Sequence, residues 1–299
     1  MVAAIAAWIP RRNFLAAMAQ VGGGLWCAVL GGSLVAHAIA AAKWRLLVRA
    51  SGCPVGHLDA LAAHAAGLFA NNWLPSVVGG DVVRASVLAR RQHGLAAPLV
   101  ASIADRVIDL GVSLALAVAG VLLSGTAGSG PAVPLLRSAT GLLLIGSTVG
   151  ALLLWKLDPA RAPRRIALPL ARLREVSGAL AAHPASALAA TGLSLTVQSA
   201  LIALNLALAH AIGIEAGLGA WLIAFPLAKI AALAPVSLGG LGVREAASAA
   251  LLAPFGVAAA PAIAQGFIWR TILLGLGLAG GGLSWLATAG RKRESGAAA

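Results

Sequence analysis

The sequence predicts an all-α, polytopic helical membrane protein with two re-entrant helical hairpins in an inverted repeat. Three observations carry this. The chain of 299 residues is 60% hydrophobic and 10% charged, where a soluble domain carries about 25% charged residues. Its mean hydropathy is +0.92, and no polar stretch is long enough to house a soluble catalytic domain. Second, a motif occurs twice: Pro75, Gly79, Gly80, Val83 and Arg84 recur as Pro235, Gly239, Gly240, Val243 and Arg244 at one constant offset, a shared P-x-x-x-G-G-x-x-V-R. Third, each copy separates two apolar segments that are both shorter than the roughly 20 residues of a full span. Interrupted apolar segments at matching positions of two halves mark a transporter binding site.

The net charge is +13, but the basic residues fall in short clusters between apolar runs. That is the pattern of cytoplasmic loops, not of a nucleic-acid surface. Cys27 and Cys53 lie near opposite ends of one predicted span, so free thiols are expected rather than a disulfide, whose alpha carbons must lie within about 7 Å. Zinc-ligand spacings are absent, and neither metal nor cofactor is expected.

Residues 1–24 read as an N-terminal segment in which an apolar run, Met1–Ile9, stops at Pro10, Arg11 and Arg12. It has the look of a shortened first helix, an interfacial segment or a misplaced start, and lacks the charged region and cleavage site of a signal peptide. Residues 25–135 form the first repeat. Leu25–Trp44 is a span closed by Lys43, Arg45 and Arg49 on the cytoplasmic side. Leu58–Trp73 stops at Leu74-Pro75 and Asp81–Arg91 resumes, flanked by Arg90, Arg91 and His93. Both ends of this pair therefore belong to the cytoplasmic face, and the turn lies at membrane depth, where irregular backbone must be buried in protein or line a wet cavity. Pro98–Leu123 crosses outward into the loop Ser124–Pro134.

Residues 136–183 hold an inverting span, Leu136–Trp155, and a basic amphipathic segment, Ile166–Ala182. Arg161, Arg164, Arg165, Arg172 and Arg174 there are expected to face an anionic leaflet. Residues 184–286 form the second repeat: the span Pro184–Ile212, the arms Ala220–Leu233 and Gly242–Leu252 entering from the opposite face, and the span Pro261–Trp285. Residues 287–299, with Arg291, Lys292 and Arg293, form a cytoplasmic tail. Arg11, Arg12 and Arg137 fall on the external side in this topology.

Asp81, Arg84, Asp105, Arg106, Asp109, Lys229, Arg244, Glu245 and Arg270 all lie inside apolar stretches. Each charge at a helix centre costs about 2.5–3.5 kcal/mol on insertion scales, so each needs a partner or a ligand. Five bases against four acids leave room for one anion. The second arm of each hairpin starts at its Gly-Gly, and a helix N-terminus with free N–H groups attracts an anion. Arg84 and Arg244 lie about one turn further on, and a guanidinium suits bidentate phosphate contact. Pro75, Gly79, Gly80, Pro235, Gly239 and Gly240 build these turns; tight turning alone also explains the glycines. Asp81 also reads as a helix cap, and Asn71 and Asn72 as either caps or substrate contacts.

Asp105 and Asp109 share a helix face at i, i+4, extended by Ser102 and Ser113. They read as a proton or cation relay, or as partners of Arg106 or of an arginine from another helix. Arg106, Lys229 and Arg270 are further coupling or structural charges. His37, His64, Asn205 and His210 read as interhelical hydrogen-bond partners, and the eight tryptophans mostly as interfacial anchors.

The sequence resembles the transmembrane region of lysylphosphatidylglycerol synthases, the flippase-like domain family. The resemblance rests on three ordered stretches: Leu74-Pro75 to Gly79-Gly80-Asp81-Val82-Val83-Arg84, Ser102 to Asp105-Arg106-Val107-Ile108-Asp109-Leu110, and Pro235 to Gly239-Gly240-Leu241-Gly242-Val243-Arg244-Glu245. It covers about Leu25 to Trp285 and implies lipid translocation. Full-length synthases also carry a soluble aminoacyl-transfer domain; the sequence shows no counterpart, so lysyl transfer is not carried over. The reading is a non-enzymatic inner-membrane flippase for a lipid with a polar or anionic head group. No G-x-x-x-x-G-K-[ST] loop supports ATP drive. The alternatives are a membrane enzyme acting on lipid phosphates, with Asp105 or Asp109 as acid/base, and a non-transporting partner of a lipid-modifying enzyme.

Overall fold

The computed structural model describes residues 11–74, 79–92, 94–124, 164–233 and 240–297, with isolated positions at 134, 138, 141, 142, 146 and 156. Pro75, Pro235 and Gly239 of the two motifs, and most of the span expected at Leu136–Trp155, lie outside these. The described residues are helical with no strand: α1 (Arg11–Ala50), α2 (His57–Trp73), α3 (Gly79–Gln92), α4 (Ala96–Leu123), α5 (Arg164–Ala182), α6 (Pro184–Ala211), α7 (Leu218–Ala231), α8 (Val243–Leu252) and α9 (Ala259–Ala297).

Local chemistry sets these boundaries. α1 runs well past Trp44, the end expected from sequence, because Arg45-Leu46-Leu47-Val48 continues the helical pattern; it is kinked at Gly22, whose φ of 65° no helix accepts. α2 ends at Leu74, which is extended at φ −85° and ψ 144°, the conformation that a following proline imposes. α6 opens on Pro184, where a missing N–H costs nothing, and after its end at Ala211 the chain turns at Gly213, φ 76°, with a back-bond from the Ile214 N–H to the Ala209 carbonyl.

Among the described residues, four helical segments are long and apolar enough to cross a bilayer: Ala17–Ala50, Ala96–Leu123, Pro184–Ala211 and Ala259–Leu286. The 28 residues of α4 and of α6 extend about 42 Å each. The 14 residues of α3 and of α7 extend only about 21 Å, short of a hydrocarbon core of about 30 Å. Leu58, Leu122, Leu188, Leu278 and Trp285 stand exposed on the outside of this bundle, as lipid-facing side chains should.

The helices pack in a closed pattern. α1 packs on α6, α2 on α9, and α4 on α7; within the halves, α2 packs on α3, α7 on α8, α3 on α4, and α8 on α9. Close approach needs small residues where no hydrophobic force drives helices together. A methyl group at Gly120 of α4 would lie 2.7 Å from the Gly219 carbonyl oxygen of α7, and one at Gly280 of α9 would lie 2.6 Å from the Ala65 carbonyl oxygen of α2. One apolar cluster gathers around Trp44, Leu47, Leu88 and Val100, a second around Leu116, Ile202, Trp221 and Leu252. Between them lies a polar interior.

Candidate functional site: a charged cavity

The polar interior is a cavity of about 220 Å³. All nine charged residues singled out in the apolar stretches line it: Asp81, Arg84, Asp105, Arg106, Asp109, Lys229, Arg244, Glu245 and Arg270. So do Asn71, Asn72 and Gly80 of the first motif, His37, His64, Gln198, Asn205 and Gln265. Val197, Leu201, Phe225, Trp269, Leu273 and Leu276 add apolar lining.

Lys43 joins this set and was missed. It is 1% exposed and is not a flanking interfacial charge. Its Nζ lies 2.9 Å from Asp105 Oδ1, off the hydrogen-bond direction, and bonds Asp109 Oδ1 directly. Two signals in the sequence pointed to it. Ala36, Ala40, Lys43 and Leu47 share one helix face, and all are buried; and two carboxylates one turn apart on α4 require a cation.

The first half of the cavity is an ion-pair network. Arg84 Nη2 donates to Asp105 Oδ2 at 2.8 Å and lies 3.0 Å from Asp81 Oδ1. Arg106 Nε donates to Asp81 Oδ2 at 2.6 Å. The Arg84 guanidinium stacks 4.9 Å from the centre of the Trp44 ring, a cation–π contact. Trp44 is fully buried, and its Nε1–H donates to Ser102 Oγ at 3.1 Å. It is a structural element of the site and not an interfacial anchor; Trp221 and Trp269 are likewise buried, whereas Trp73 and Trp285 are exposed. Asp109 also accepts from Ser194 Oγ at 2.5 Å and lies 4.0 Å from Lys229 Nζ. Asp81 thus spends its carboxylate on two arginines.

The two Gly-Gly turns differ in their reason. Gly80 gives its N–H to Asn71 Oδ1 at 3.0 Å, and a methyl group there would lie 2.5 Å from the Gly67 carbonyl oxygen. The glycine lets α2 and α3 touch. Asn71 is a cap, and Asn72 donates to the Leu273 carbonyl of α9 at 3.1 Å. In the second copy Gly240 and Gly242 have φ of 73° and 83°, backbone that favours glycine. Glu245 Oε2 accepts the Gly242 N–H at 2.6 Å, half of a capping box. Each half-helix start therefore already has one N–H satisfied by the chain itself.

Arg244 is different from Arg84. It lines the cavity, yet among the described residues it makes no ion pair, and its Nε is buried without a hydrogen-bond partner. Glu245, Arg270 and Lys229 lie within electrostatic range of it. A buried guanidinium with spare donors is a place for an anion.

A family model described as the lysylphosphatidylglycerol synthase TM region matches residues 1–281. The chain belongs to that family. No curated protein and no solved structure matches it. The match to the lysylphosphatidylglycerol synthase TM region spans both motif copies and every cavity residue named above, and with the four long apolar helices it makes this a membrane protein. His37 and His64, read from sequence as hydrogen-bond partners, contact each other, Nδ1 to Nε2 at 3.3 Å; Gln265 Nε2 donates to Asn205 Oδ1 at 2.5 Å. Gln198 was missed: its Oε1 accepts from Ser113 at 2.8 Å and its Nε2 donates to the Asp109 carbonyl at 2.9 Å.

Proposed function

We propose that this protein is a flippase that moves a lipid with a polar or anionic head group between the leaflets of a bacterial-type inner membrane. One observation carries the reading: residues of both motif copies line a single cavity that offers both charged and apolar side chains. Charged groups suit a lipid head group and apolar ones its chain. The family supports a lipid-related role in the membrane.

The inverted repeat is part of this reading. Exchanging α1 with α6, α2 with α7, α3 with α8 and α4 with α9 turns every major helix contact into another observed one. The pair α2–α9 becomes α7–α4, α1–α4 becomes α6–α9, and α1–α9 becomes α6–α4. Among the described helices only α5 stands outside, between the halves in sequence. This closure under exchange is what two hairpins entering from opposite faces require, with α2–α3 and α7–α8 re-entrant and their tips meeting at mid-depth. The C-terminus and α5 then face the cytoplasm, where the arginines of α5 meet anionic lipid.

The acids favour transport over catalysis. Asp81, Asp105 and Asp109 each hold one or more cations, so none stands poised as a general acid or base. The test is the full chain in proteoliposomes, with leaflet-resolved movement of labelled lipids beside mass analysis of the lipid pool. The expected result is exchange of leaflet at unchanged lipid mass. A change in lipid mass replaces this reading with an enzyme, and no movement at all points to a partner protein's role.

A further inference from the structure

Around Arg244 the cavity is lined by neutral polar groups. Asn205 of α6, Ser248 of α8 and Gln265 of α9 all face it, and they are 2%, 8% and 2% exposed. Gln265 stands one repeat after Asp105, the acid that Lys43 and Arg84 clamp. Its Nε2 donates to Asn205 Oδ1, and this one bond joins the two amides. Each amide has two N–H donors and a carbonyl acceptor, so one bond leaves capacity over. Among the described residues neither Asn205 Nδ2 nor Ser248 Oγ donates a hydrogen bond, and both side chains line the cavity. Idle polar groups in a membrane interior are costly, and a ligand in the cavity relieves that cost. The cluster adjoins Arg244. Ser248 follows Arg244 by one turn of α8. Gln265 precedes Gly266, where a methyl group would lie 2.8 Å from Glu245 Cγ, so α8 and α9 touch beside both residues.

We propose, on the basis of the flippase reading above, that Asn205, Ser248 and Gln265 form a subsite for hydroxyl groups, and that the head group is an uncharged polyol or sugar joined to the lipid through a phosphate at Arg244. A hydroxyl both donates and accepts, so it can take the spare N–H of Asn205 and exchange a hydrogen bond with Ser248. The adjoining phosphate meets a guanidinium whose Nε has no hydrogen-bond partner. An ammonium-bearing head group fits less well. An ammonium only donates and needs a carboxylate with capacity to spare. Asp81, Asp105 and Asp109 are held in ion pairs, and Glu245 accepts the Gly242 N–H and lies near Arg244 and Arg270. Size agrees: the cavity of about 220 Å³ falls below the roughly 300–1,000 Å³ of sites for drug-sized ligands, and suits a small polyol or one sugar better than a head group extended by an amino acid.

The test measures binding and transport separately. Binding to the purified full chain in detergent is followed by thermal shift and calorimetry with short-chain lipids. Phosphatidylglycerol and phosphatidylinositol carry hydroxyls; phosphatidylmethanol has the same charge and none; phosphatidylethanolamine and the lysyl ester of phosphatidylglycerol carry an ammonium. Glycerol 3-phosphate and inositol phosphate stand for a soluble source of the same chemistry. Transport uses the long-chain lipids in proteoliposomes. A hydroxyl-bearing lipid should bind about tenfold or more tightly than phosphatidylmethanol, as two further hydrogen bonds allow. The preference should shrink to about twofold or less when Asn205→Leu and Gln265→Leu are combined, a change that replaces both partners of one bond by apolar groups. Ser248→Ala leaves the amide pair in place and should lower the preference about threefold. A preference that persists unchanged in every variant that folds overturns the subsite. Equal binding of phosphatidylmethanol overturns the assignment, as does tighter binding of either ammonium lipid, even if lipids are flipped. A soluble phosphate binding as tightly as the lipid overturns it in favour of a free ligand. A hydroxyl preference in binding without any flipping would uphold the ligand class and sink the flippase reading instead.

Discussion

The two copies of the motif carry the same residues and do different work. Arg84 is 4% exposed, sandwiched between Trp44 and two aspartates. Its counterpart Arg244 has no ion pair among the described residues and an unbonded Nε. The difference comes from their neighbours. α1 and α4 deliver Lys43, Asp105 and Asp109 beside Arg84; the places one repeat later hold Ala203, Gln265 and Trp269. The acids of the cavity gather around the first copy, where Asp81, Asp105 and Asp109 hold Lys43, Arg84 and Arg106, and Asp109 also reaches Lys229 of α7. The same motif thus sits in two electrostatic settings: Arg84 is held by two carboxylates, and Arg244 by none among the described residues.

Removing the central acid of the first half gives the largest expected effect. Asp105 holds both Lys43 and Arg84. Asp105→Asn leaves two buried cations under-compensated, and breaking a buried pair on one side costs about 3–5 kcal/mol. Glu245→Gln in the second half keeps an oxygen for the Gly242 N–H and breaks no ion pair within 4 Å among the described residues, but it removes the acid near Arg244 and Arg270, so it should cost about 1–3 kcal/mol. Thermal unfolding of both variants in mild detergent checks this; a Glu245→Gln loss equal to that of Asp105→Asn would mean that the halves are equally self-paired.

The glycines provide the second contrast. Gly80→Ala drives a methyl group into the Gly67 carbonyl and the Asn71 cap, and so forces α2 from α3; overpacking of this kind costs about 1–3 kcal/mol. Gly240→Ala meets the side chain of Ala232 at 2.8 Å and must hold φ near 73°, at about 1–2 kcal/mol. The two should also differ in rescue. Asn71→Ala alongside Gly80→Ala clears one obstacle but not the carbonyl, so stability should not return. Ala232→Gly alongside Gly240→Ala removes the contact and should recover part of the loss.

Much of this was legible in the sequence, and what was not has a physical reason. Helix ends at Trp73, Leu123 and Leu252 were readable because proline, glycine or a polar turn enforces them. The nine intramembrane charges were readable because each is costly in an apolar stretch, and they do share one cavity. Lys43 was not, since it begins a basic run, Lys43-Trp44-Arg45, that mimics an interfacial cluster; only the phase of α1 separates it from Arg45, which donates to the Val55 carbonyl outside the cavity. The distinction between Arg84 and Arg244 was also hidden. Both have the same local sequence, and their partners come from helices far away in the chain.

The smallest expected effect on stability, and the one that best separates the halves, is lysine at each motif arginine. Arg84→Lys keeps a charge but loses the flat guanidinium that stacks on Trp44 and bridges Asp81 and Asp105. A point charge cannot do both, so a loss of about 1–3 kcal/mol is expected. Arg244→Lys breaks no ion pair among the described residues, and lysine has no Nε–H to leave unbonded, so its unfolding midpoint should stay within about 0.5 kcal/mol of the parent. Transport should rank the other way. An anion held by a fork of two N–H groups loses one of them in Arg244→Lys, and lipid movement should fall by about tenfold or more. Arg84→Lys, once folded, leaves the second half intact and should flip lipid at close to the parent rate. Leaflet-resolved transport by protein that has passed a folding check decides between the two roles. If Arg84→Lys flips poorly at full stability while Arg244→Lys flips normally, the assignment of anchor and binding copy is reversed.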